Sequence, residues 1–250
     1  MATAAEHYDR LLAEHYTWML GGDIPASASG QAELLRDLGI GPQSDRDVAI
    51  DLGCGSGAQT LALADLGFSP VIAVDSSARL LDELAGYAKA APAVRTVHGD
   101  LCDVLPAVAE PGTAAAIVCM GDTLLHLPSK EEVSALLHDA ARALRPGGHL
   151  VLTYRDLTQE LQGTDRFLPV RATDDRLLTC FLEYRDEDTV LVHDLLHTRS
   201  GGEWQLRASS YPKLRLSPTW LADRCVAAGL QIRYDAIGAR GMQVLHAVRP

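Results

Sequence analysis

The segment with the clearest potential for chemistry is an acidic residue followed by three glycines at alternate positions. Apolar residues from Val48 lead into Asp51, and Gly53, Gly55 and Gly57 follow it. Glycine has no Cβ and adopts positive φ without strain, so such a loop can turn sharply and let a ligand approach the backbone. The segment therefore predicts a ligand-binding loop directly after a buried strand.

Two kinds of ligand match this loop. Gly53, Gly55 and Ala58 fit the G-x-G-x-x-G/A spacing of dinucleotide-binding proteins. Asp75 follows at about the distance of their ribose-binding acid. Asp51 distinguishes the two ligands, because a carboxylate before the first glycine repels a pyrophosphate but attracts the ammonium and sulfonium groups of S-adenosylmethionine. The charge pattern favours S-adenosylmethionine over a dinucleotide.

The elements that must position this loop alternate between strand and helix from residue 46 to about residue 155. The expected strands are Val48–Asp51, Val71–Asp75, Val94–His98, Ala115–Met120 and His149–Tyr154. The expected helices are Ala58–Leu66, Ala78–Ala90 and Lys130–Leu144. Right-handed connections gather the carboxyl ends of parallel strands at one edge of the sheet, where we expect the site.

The remaining segments complete a single α/β domain with four parts. Residues 1–45 predict an amino-terminal helical cap, with helices at Tyr8–Leu20 and Gly30–Leu38, and residues 46–155 form the cofactor-binding core. Residues 156–216 predict an antiparallel β insertion that forms a roof over the substrate, with strands at Leu177–Tyr184, Thr189–Arg199 and Glu203–Leu216. Residues 217–250 predict a closing helix up to Ala228 and two strands, Gln231–Ile237 and Gln243–Val248. Together these elements indicate a doubly wound, Rossmann-like, seven-stranded sheet.

Composition narrows the class of partner. A chain of 250 residues with 47% hydrophobic content can bury a full α/β core. Its formal net charge of -11 disfavours nucleic acid and anionic membranes, so a small-molecule substrate is expected. The first ten residues lack the apolar core of a signal peptide, and no stretch of 18 uncharged apolar residues occurs, so we expect a cytoplasmic protein. Oligomeric state is not predicted by the sequence.

The cysteines predict neither a metal centre nor a redox pair. They are odd in number and widely spaced, without a C-x-x-C pair, at positions Cys54, Cys102, Cys119, Cys180 and Cys225. We interpret them as small buried side chains.

The order of four motifs resembles that of the class I S-adenosylmethionine-dependent methyltransferases, over residues 46–155. The motifs are Asp51-Leu-Gly-Cys-Gly-Ser-Gly57, Val74-Asp75, Gly99-Asp100-Leu101 and Leu144-Arg-Pro-Gly-Gly148. The resemblance implies that Asp75 accepts both ribose hydroxyls and that Asp100 accepts from the adenine amino group. Taken alone, Asp75 is typical of a helix cap and Asp100 of a turn.

The resemblance also implies a wider set of cofactor contacts. Leu101 would pack on the adenine base, and the backbone of Met120 and Gly121 would lie near the methionine moiety. The full set of expected cofactor-binding residues is Asp51, Gly53, Cys54, Gly55, Gly57, Asp75, Ser76, Asp100, Leu101, Met120 and Gly121.

The loop from Cys119 to Ser129 is similar to the corresponding loop of glycine and sarcosine N-methyltransferases and related small-molecule enzymes. Those enzymes usually carry Asn where this chain has Asp122. His126 in this loop can accept a proton at neutral pH, or it can tie the loop down by a hydrogen bond, and both readings stay open. Tyr154, at the end of the fifth strand, is the second candidate base.

Several further residues are expected to bind the substrate. Arg155 would clamp a carboxylate in a bidentate fork, or else pair with Asp156 or Asp165 on the surface. Tyr16 would close over the cofactor, as the first helix does in resembling enzymes, or belong to the core. With Asp122, Arg207 and Tyr211 these residues make up the expected substrate site.

Strand alternation organises the expected roof. Arg207, Ser209 and Tyr211 share one face of their strand, and His193 and His197 share one face of the neighbouring strand, so we expect both sets to face the substrate. On a strand the two imidazoles would stand about 13 Å apart, too far to bind one ion. We therefore predict no metal.

These residues together predict methyl transfer to an oxygen or nitrogen of a small acidic or amino-acid-like metabolite. The transfer would be an in-line displacement at the sulfonium methyl, with alignment and removal of one proton as the protein's contribution. One alternative is a non-methylating enzyme, in which S-adenosylmethionine cyclises and releases methylthioadenosine. A second is a non-catalytic cofactor-binding module. A nicotinamide-dependent oxidoreductase is disfavoured by Asp51.

Overall fold

A computed structural model describes residues 3–250 and contains eleven strands and six helices of eight residues or more. The strands are β1 Val48–Leu52, β2 Val71–Asp75, β3 Val94–His98, β4 Ala114–Cys119, β5 Leu144–Tyr154, β6 Phe167–Ala172, β7 Arg176–Tyr184, β8 Thr189–Ser200, β9 Glu203–Leu214, β10 Gln231–Ile237 and β11 Gln243–Val248. The helices are α1 Ile24–Asp37, α2 Ala58–Asp65, α3 Ala78–Tyr87, α4 Leu101–Val108, α5 Lys130–Ala143 and α6 Pro218–Ala227.

Seven strands form the main sheet, in the order β3-β2-β1-β4-β5-β11-β10. β11 runs antiparallel to both β5 and β10, and the other pairs are parallel. Alternation along β1 buries both faces: Ile50 and Leu52 pack in one cluster with α5 and α6, and Ala49 packs in another with α1 and α2. The predicted doubly wound α/β fold is confirmed, and the strand order reverses between β1 and β4, beside the glycine loop.

The second sheet is antiparallel, in the order β6-β7-β8-β9. The sequence predicts three of its strands but not β6, because Pro169 interrupts the pattern and a proline is tolerated only at a sheet edge. Two helices also differ from expectation. The sequence does not predict α4, since Pro106 lies inside it. α1 begins at Ile24 rather than at Gly30, because the side chain of Asp23 accepts from the backbone N–H of Ala26 and caps the helix.

We call residues 4–19 the amino-terminal segment, and it is not the continuous helix that the spacing predicts. It consists of four short turns, Ala4–His7, Tyr8–Leu12, Ala13–His15 and Tyr16–Met19, of which the second is a π-helix and the third a 3-10 helix. Leu11 and Leu12 of this segment pack with Leu178 and Leu196 of the second sheet. The segment therefore covers that face of the second sheet, which we call the inner face.

The register of β8 and β9 shows that the two expected sets of side chains lie on opposite faces of the second sheet. Tyr211 lies opposite Val192 and Ser209 opposite Asp194, so Asp194 shares the inner face with Tyr211. His193 pairs with Ser210, and His197 pairs with Leu206, which is 56% exposed. Because a shift of one residue moves a side chain to the other face of a sheet, the two histidines lie on the outer face, away from Tyr211.

Within residues 3–250, the helices are all too short or too polar to cross a lipid bilayer.

A buried histidine pair predicts how stability depends on pH. Nδ1 of His149 lies 3.0 Å from Nε2 of His246, which is 5% exposed. Burial, with His149 and Arg233 nearby, lowers the pKa of His246 to about 4. Between pH 6.5 and about 4 the unfolded chain therefore binds a proton that the folded chain does not, so stability falls as the pH falls through this window.

We expect His246→Gln to reduce this acid sensitivity by up to about 1.4 kcal/mol per pH unit. Chemical denaturation from pH 7 to pH 4.5 measures the slope. His138→Gln, at an exposed position of α5, is the control and leaves the slope unchanged. Equal slopes in wild type and His246→Gln would contradict the assignment.

Candidate functional site

The glycine loop after β1 contacts three different parts of the chain. A Cβ at Gly53, which has φ of 73°, would lie 2.2 Å from Cγ2 of Thr123 in the loop after β4. A Cβ at Gly55, which has φ of 53°, would lie 2.8 Å from Cε1 of Tyr16. Gly57 is packed against Leu84 of α3 in the same way. Both the backbone conformation and the close packing exclude larger residues here, and we call this loop backbone the cradle.

Asp75 ends β2 beside this loop, and both of its carboxylate oxygens accept backbone hydrogen bonds. Its Oδ2 accepts from the backbone N–H of Gly55 at 2.8 Å, and its Oδ1 accepts from the N–H of Ser77 at 2.8 Å, at the start of α3. Burial raises the pKa of Asp75, although these backbone hydrogen bonds oppose the shift. The carboxylate is thus held at the rim of the cradle, where two ribose hydroxyls would need two acceptors. The neighbouring Ser76 is exposed.

Asp51 lies beneath the loop and is 1% exposed. It accepts a hydrogen bond of 2.6 Å from Oγ1 of Thr60. Burial raises the pKa of Asp51 to about 7, and Asp75 adds to the shift while Thr60 opposes it. A cation above the loop would favour its ionised form, so the site is suited to a positively charged ligand.

The other expected cofactor residues lie around the same sheet edge. Asp100 is exposed and caps α4 through the N–H of Cys102, and Leu101 is half-buried beside it. Gly121 follows β4 and donates its N–H to Oγ1 of Thr153 at 2.7 Å. Met120 is 4% exposed and packs in the core, so only its backbone can face a ligand. The cradle, the acceptor at its rim and the buried acid fit S-adenosylmethionine.

Asp122 in the loop after β4 contacts two cations. Its Oδ2 lies 2.6 Å from Nζ of Lys213 on β9 and 2.6 Å from a guanidinium nitrogen of Arg155, whose backbone N–H also donates to Oδ1 at 3.0 Å. Burial alone would raise the pKa of Asp122, but the two cations hold it well below its ordinary value. Arg155 therefore pairs with Asp122 rather than with Asp156 or Asp165. One guanidinium nitrogen makes this contact, and the side chain is 52% exposed.

His126 lies at the centre of a cluster of rings. Its ring centroid is 5.6 Å from that of Tyr8 and 5.5 Å from that of Tyr211, which it meets edge to face. Its Nε2 is buried and has no hydrogen-bond partner among the described residues. Burial, with Lys213 nearby, lowers the pKa of His126 to about 3 despite the opposing effect of Asp122. The imidazole is therefore neutral at physiological pH.

Tyr16 connects this cluster to the cofactor cradle. Its ring lies over Gly55 and its centroid is 5.8 Å from that of Tyr8. Burial and the nearby carboxylate of Asp75 raise its pKa, so the phenol keeps its proton. The next residue, Thr17, donates a hydrogen bond to Glu83 on α3. The amino-terminal segment thus reaches both the cradle and His126.

Two expected site residues, Tyr154 and Arg207, make other contacts. Tyr154 is fully buried in the core on the side of α6, and the groups whose charges act on it include Asp235 and Cys225. Burial raises its pKa, so the phenol keeps its proton, which disfavours a role as base. Arg207 is exposed and donates to the backbone carbonyl of Arg10, so it holds the amino-terminal segment.

Residues 49–148 match the family model described as a methyltransferase domain. This chain carries a methyltransferase domain. The predicted methyltransferase is confirmed over these residues. S-adenosylmethionine stays the predicted cofactor.

Two curated relatives are methyltransferases. The chain is 33% identical over 155 residues to the cypemycin N-terminal methyltransferase of Streptomyces sp, which covers 55% of this chain and 60% of that protein. It is 28% identical over 203 residues to ribosomal RNA small subunit methyltransferase G of Rhodospirillum centenum, covering 81% and 67% of the two chains.

The fold is shared with solved structures over nearly the whole chain. The amino pentose methyltransferase CalS10 from Micromonospora echinaspora, solved with S-adenosylmethionine bound, superposes with a TM-score of 0.72 at 18% identity. The match covers 95% of this chain and 96% of that one. The likeness extends beyond the methyltransferase domain to the amino-terminal segment and the second sheet.

Sequence reasoning missed several residues that contact the site. Lys213, His7 and Asp194 lie far from the methyltransferase domain's motifs along the chain, and each is buried in a position that the inner face of the second sheet creates. Asp194 has a sequence signal, because it is a charged residue close to the apolar runs at residues 190–192 and 195–196, whereas the strand around Lys213 is largely polar. Within residues 3–250, acidic, cysteine and histidine side chains form no group that could hold a metal ion.

The contact between Gly55 and Tyr16 predicts the effect of adding one methyl group. We expect Gly55→Ala to weaken binding of S-adenosylhomocysteine at least tenfold, because the new Cβ displaces Tyr16 and strains a backbone with positive φ by about 1 kcal/mol. Gly163→Ala is the control, since Gly163 also has φ of 53° but has open space around it. Isothermal titration calorimetry measures both, and equal affinities would contradict the proposed cradle.

Asp51 predicts how the methyltransferase domain distinguishes charged from neutral ligands. Above about pH 7 its carboxylate is ionised and attracts a sulfonium, so affinity for S-adenosylmethionine relative to uncharged-sulfur S-adenosylhomocysteine rises from pH 6 to pH 8. We expect Asp51→Asn, which can still accept from Thr60, to abolish this rise. Calorimetric affinities for both ligands across this range measure the ratio, and a flat ratio in wild type would disprove the role.

Proposed function

We propose that the chain is an S-adenosylmethionine-dependent N-methyltransferase that acts on an amine of a small molecule. The observation that carries this proposal is Nε2 of His126, a buried hydrogen-bonding atom without a partner among the described residues. The imidazole packs against the rings of Tyr8 and Tyr211, and Tyr8 in turn packs against Tyr16, which lies over the cradle. An amine in this position would satisfy it.

The rings around the site favour an amine acceptor. Arg155, the cation on which the expectation of an acidic metabolite depended, donates one guanidinium nitrogen to Asp122, and Lys213 shares the same carboxylate. The faces of tyrosine rings attract an ammonium group, and such contacts contribute about 0.5–2 kcal/mol. The ring cluster is thus complementary to a cationic acceptor.

The acceptor also needs room for its carbon skeleton. A cavity of about 120 Å³ lies next to His126, between Ala4 of the amino-terminal segment and Pro212 and Leu214 of β9. Its lining is largely apolar, and Lys213, which is paired with Asp122, borders it. A compact organic amine fits this combination better than a highly charged polymer does.

The cofactor and the side chains have separate roles in this proposal. S-adenosylmethionine supplies an electrophilic methyl group on its sulfonium. Burial raises the pKa values of Tyr8 and Tyr211, so these phenols stay protonated, while His126 stays neutral and can accept a hydrogen bond from the amine. This contact would align the nitrogen lone pair with the methyl carbon after the ammonium has lost its proton, and alignment is the main requirement of an in-line transfer.

The names of two similar proteins support an amine acceptor. One is an N-terminal methyltransferase and the other an amino pentose methyltransferase. The amino pentose enzyme shares its fold with 95% of this chain.

The direct test incubates the protein with methyl-labelled S-adenosylmethionine and a fractionated pool of metabolite amines, followed by mass spectrometry. We expect amine-dependent S-adenosylhomocysteine and a product carrying the label on nitrogen. Methylthioadenosine formed from the cofactor alone, a label on oxygen, or cofactor binding without turnover would each reject the proposal.

His126→Gln tests the role of the imidazole. We expect kcat to fall at least tenfold, since His126 aligns the acceptor nitrogen and misplacement of a reacting group can cost about 10²-fold in rate. Wild-type kcat/KM should rise with pH through the pKa of the amine, without a histidine limb between pH 5 and 7, because His126 is already neutral there. His138→Gln is the control. A limb near pH 6 that His126→Gln removes would contradict the neutral state.

A further inference from the structure

His7 and Asp194 form a buried pair beside the ring cluster. Nε2 of His7 lies 2.7 Å from Oδ2 of Asp194, and neither side chain is more than 2% exposed. The other carboxylate oxygen accepts from Sγ of Cys180 at 2.7 Å. Because an unsatisfied buried carboxylate is costly, these two contacts explain how Asp194 is accommodated on the inner face.

The pair joins two distant parts of the chain at the site. His7 ends the first turn of the amino-terminal segment, and Asp194 lies in the middle of β8, 187 residues further along. Their contact therefore fixes the position of the amino-terminal segment on the second sheet. The same segment carries Tyr8 and Tyr16, which face His126 and the cradle.

The orientation of the His7 ring reaches the acceptor position through stacking. The ring lies 4.2 Å from that of Tyr211 with an interplanar angle of 31°. Tyr211 in turn meets His126 at 5.5 Å with an angle of 83°. Tyr8 contacts both His7, at 6.2 Å, and His126, at 5.6 Å. A rotation of His7 would therefore move both rings that flank Nε2 of His126.

One hydrogen bond holds this ring in place. Nδ1 of His7 is buried and has no hydrogen-bond partner among the described residues, so Asp194 alone sets the ring's rotation through Nε2. A ring packed only by apolar contacts would keep its volume but lose this constraint.

We propose that His7, held by Asp194, is a positioning residue of the acceptor site, where it fixes Tyr8 and Tyr211 around Nε2 of His126. The inference rests on the proposed amine N-methylation, because the acceptor nitrogen is the group that His126 aligns. It adds a function for the buried pair that goes beyond attaching the amino-terminal segment.

Replacement by an apolar pair separates positioning from attachment. Buried ion pairs can often be replaced by apolar residues of similar volume without loss of stability, whereas removal of one partner is destabilising. The variants are His7→Phe, Asp194→Asn and the double variant His7→Phe/Asp194→Leu. The matched control is His193→Phe, since His193 pairs with Glu183 at 2.8 Å on the outer face, one residue from Asp194.

Turnover is measured with the amine identified for wild type, and S-adenosylhomocysteine affinity is measured by calorimetry. We expect His7→Phe and Asp194→Asn to lower kcat at least tenfold while affinity stays within twofold. The double variant should recover the melting temperature but not kcat, and His193→Phe should change neither. Recovery of wild-type kcat in the double variant would show that the pair only attaches the segment, and would overturn the proposal.

A spectroscopic measurement tests the same inference without turnover. In the S-adenosylhomocysteine complex, the ring-proton signals of His126 depend on the neighbouring aromatic rings. We expect these signals to shift in the double variant and to stay unchanged in His193→Phe. Unshifted His126 signals in the double variant would overturn the positioning role, even where no amine acceptor is found and the proposed function itself has failed.

Discussion

The site depends on the ion pairs that the buried carboxylate of Asp122 forms. This carboxylate lies in the loop after β4, and it binds Lys213 of the second sheet and Arg155 at the end of β5. Three segments from separate parts of the chain therefore meet at one carboxylate. Because loss of one partner from a buried ion pair leaves an uncompensated charge, this cluster holds the second sheet in a defined position above the main sheet.

The same cluster determines the protonation state of His126. The carboxylate of Asp122 raises the pKa of His126, but burial lowers it by more. Lys213 adds a positive charge nearby, so protonation is disfavoured further. The imidazole is left as a hydrogen-bond acceptor among protonated tyrosines. An interaction that organises the fold thus also sets the chemistry available to an acceptor.

The core could be predicted from the sequence because its signals are local. The apolar run to Asp51 and the glycines after it specify a strand and a tight loop within about ten residues, and the expected bounds of β2 and β3 agree with the structure. Asp75 makes a contact that neither interpretation predicts, since it accepts from the backbone of the glycine loop as well as from Ser77 at the start of α3. Its expected contact with a ribose remains a prediction.

The acceptor side could not be predicted in the same way, because it depends on pairing between distant segments. Lys213 meets Asp122 across 91 residues of sequence, and His7 meets Asp194 across 187. Alternation within β8 correctly groups His193 with His197, but only the register against β9 decides which face reaches the site. Arg155 shows a similar limit. The sequence predicts its position at the correct edge of the main sheet, whereas the partner of its guanidinium depends on the fold of the loop after β4.

The amino-terminal segment gives the two halves of the site a physical connection. Tyr16 lies over the cofactor cradle, and Tyr8 faces His126 in the acceptor site. Both belong to one stretch of short turns, which Thr17 attaches to α3 and His7 attaches to the second sheet. A ligand that orders this segment at the cradle therefore also orders the rings around the acceptor, and the second ligand no longer bears that part of the entropic cost. Cofactor and acceptor binding should thus favour each other, and the coupling must act equally in both directions.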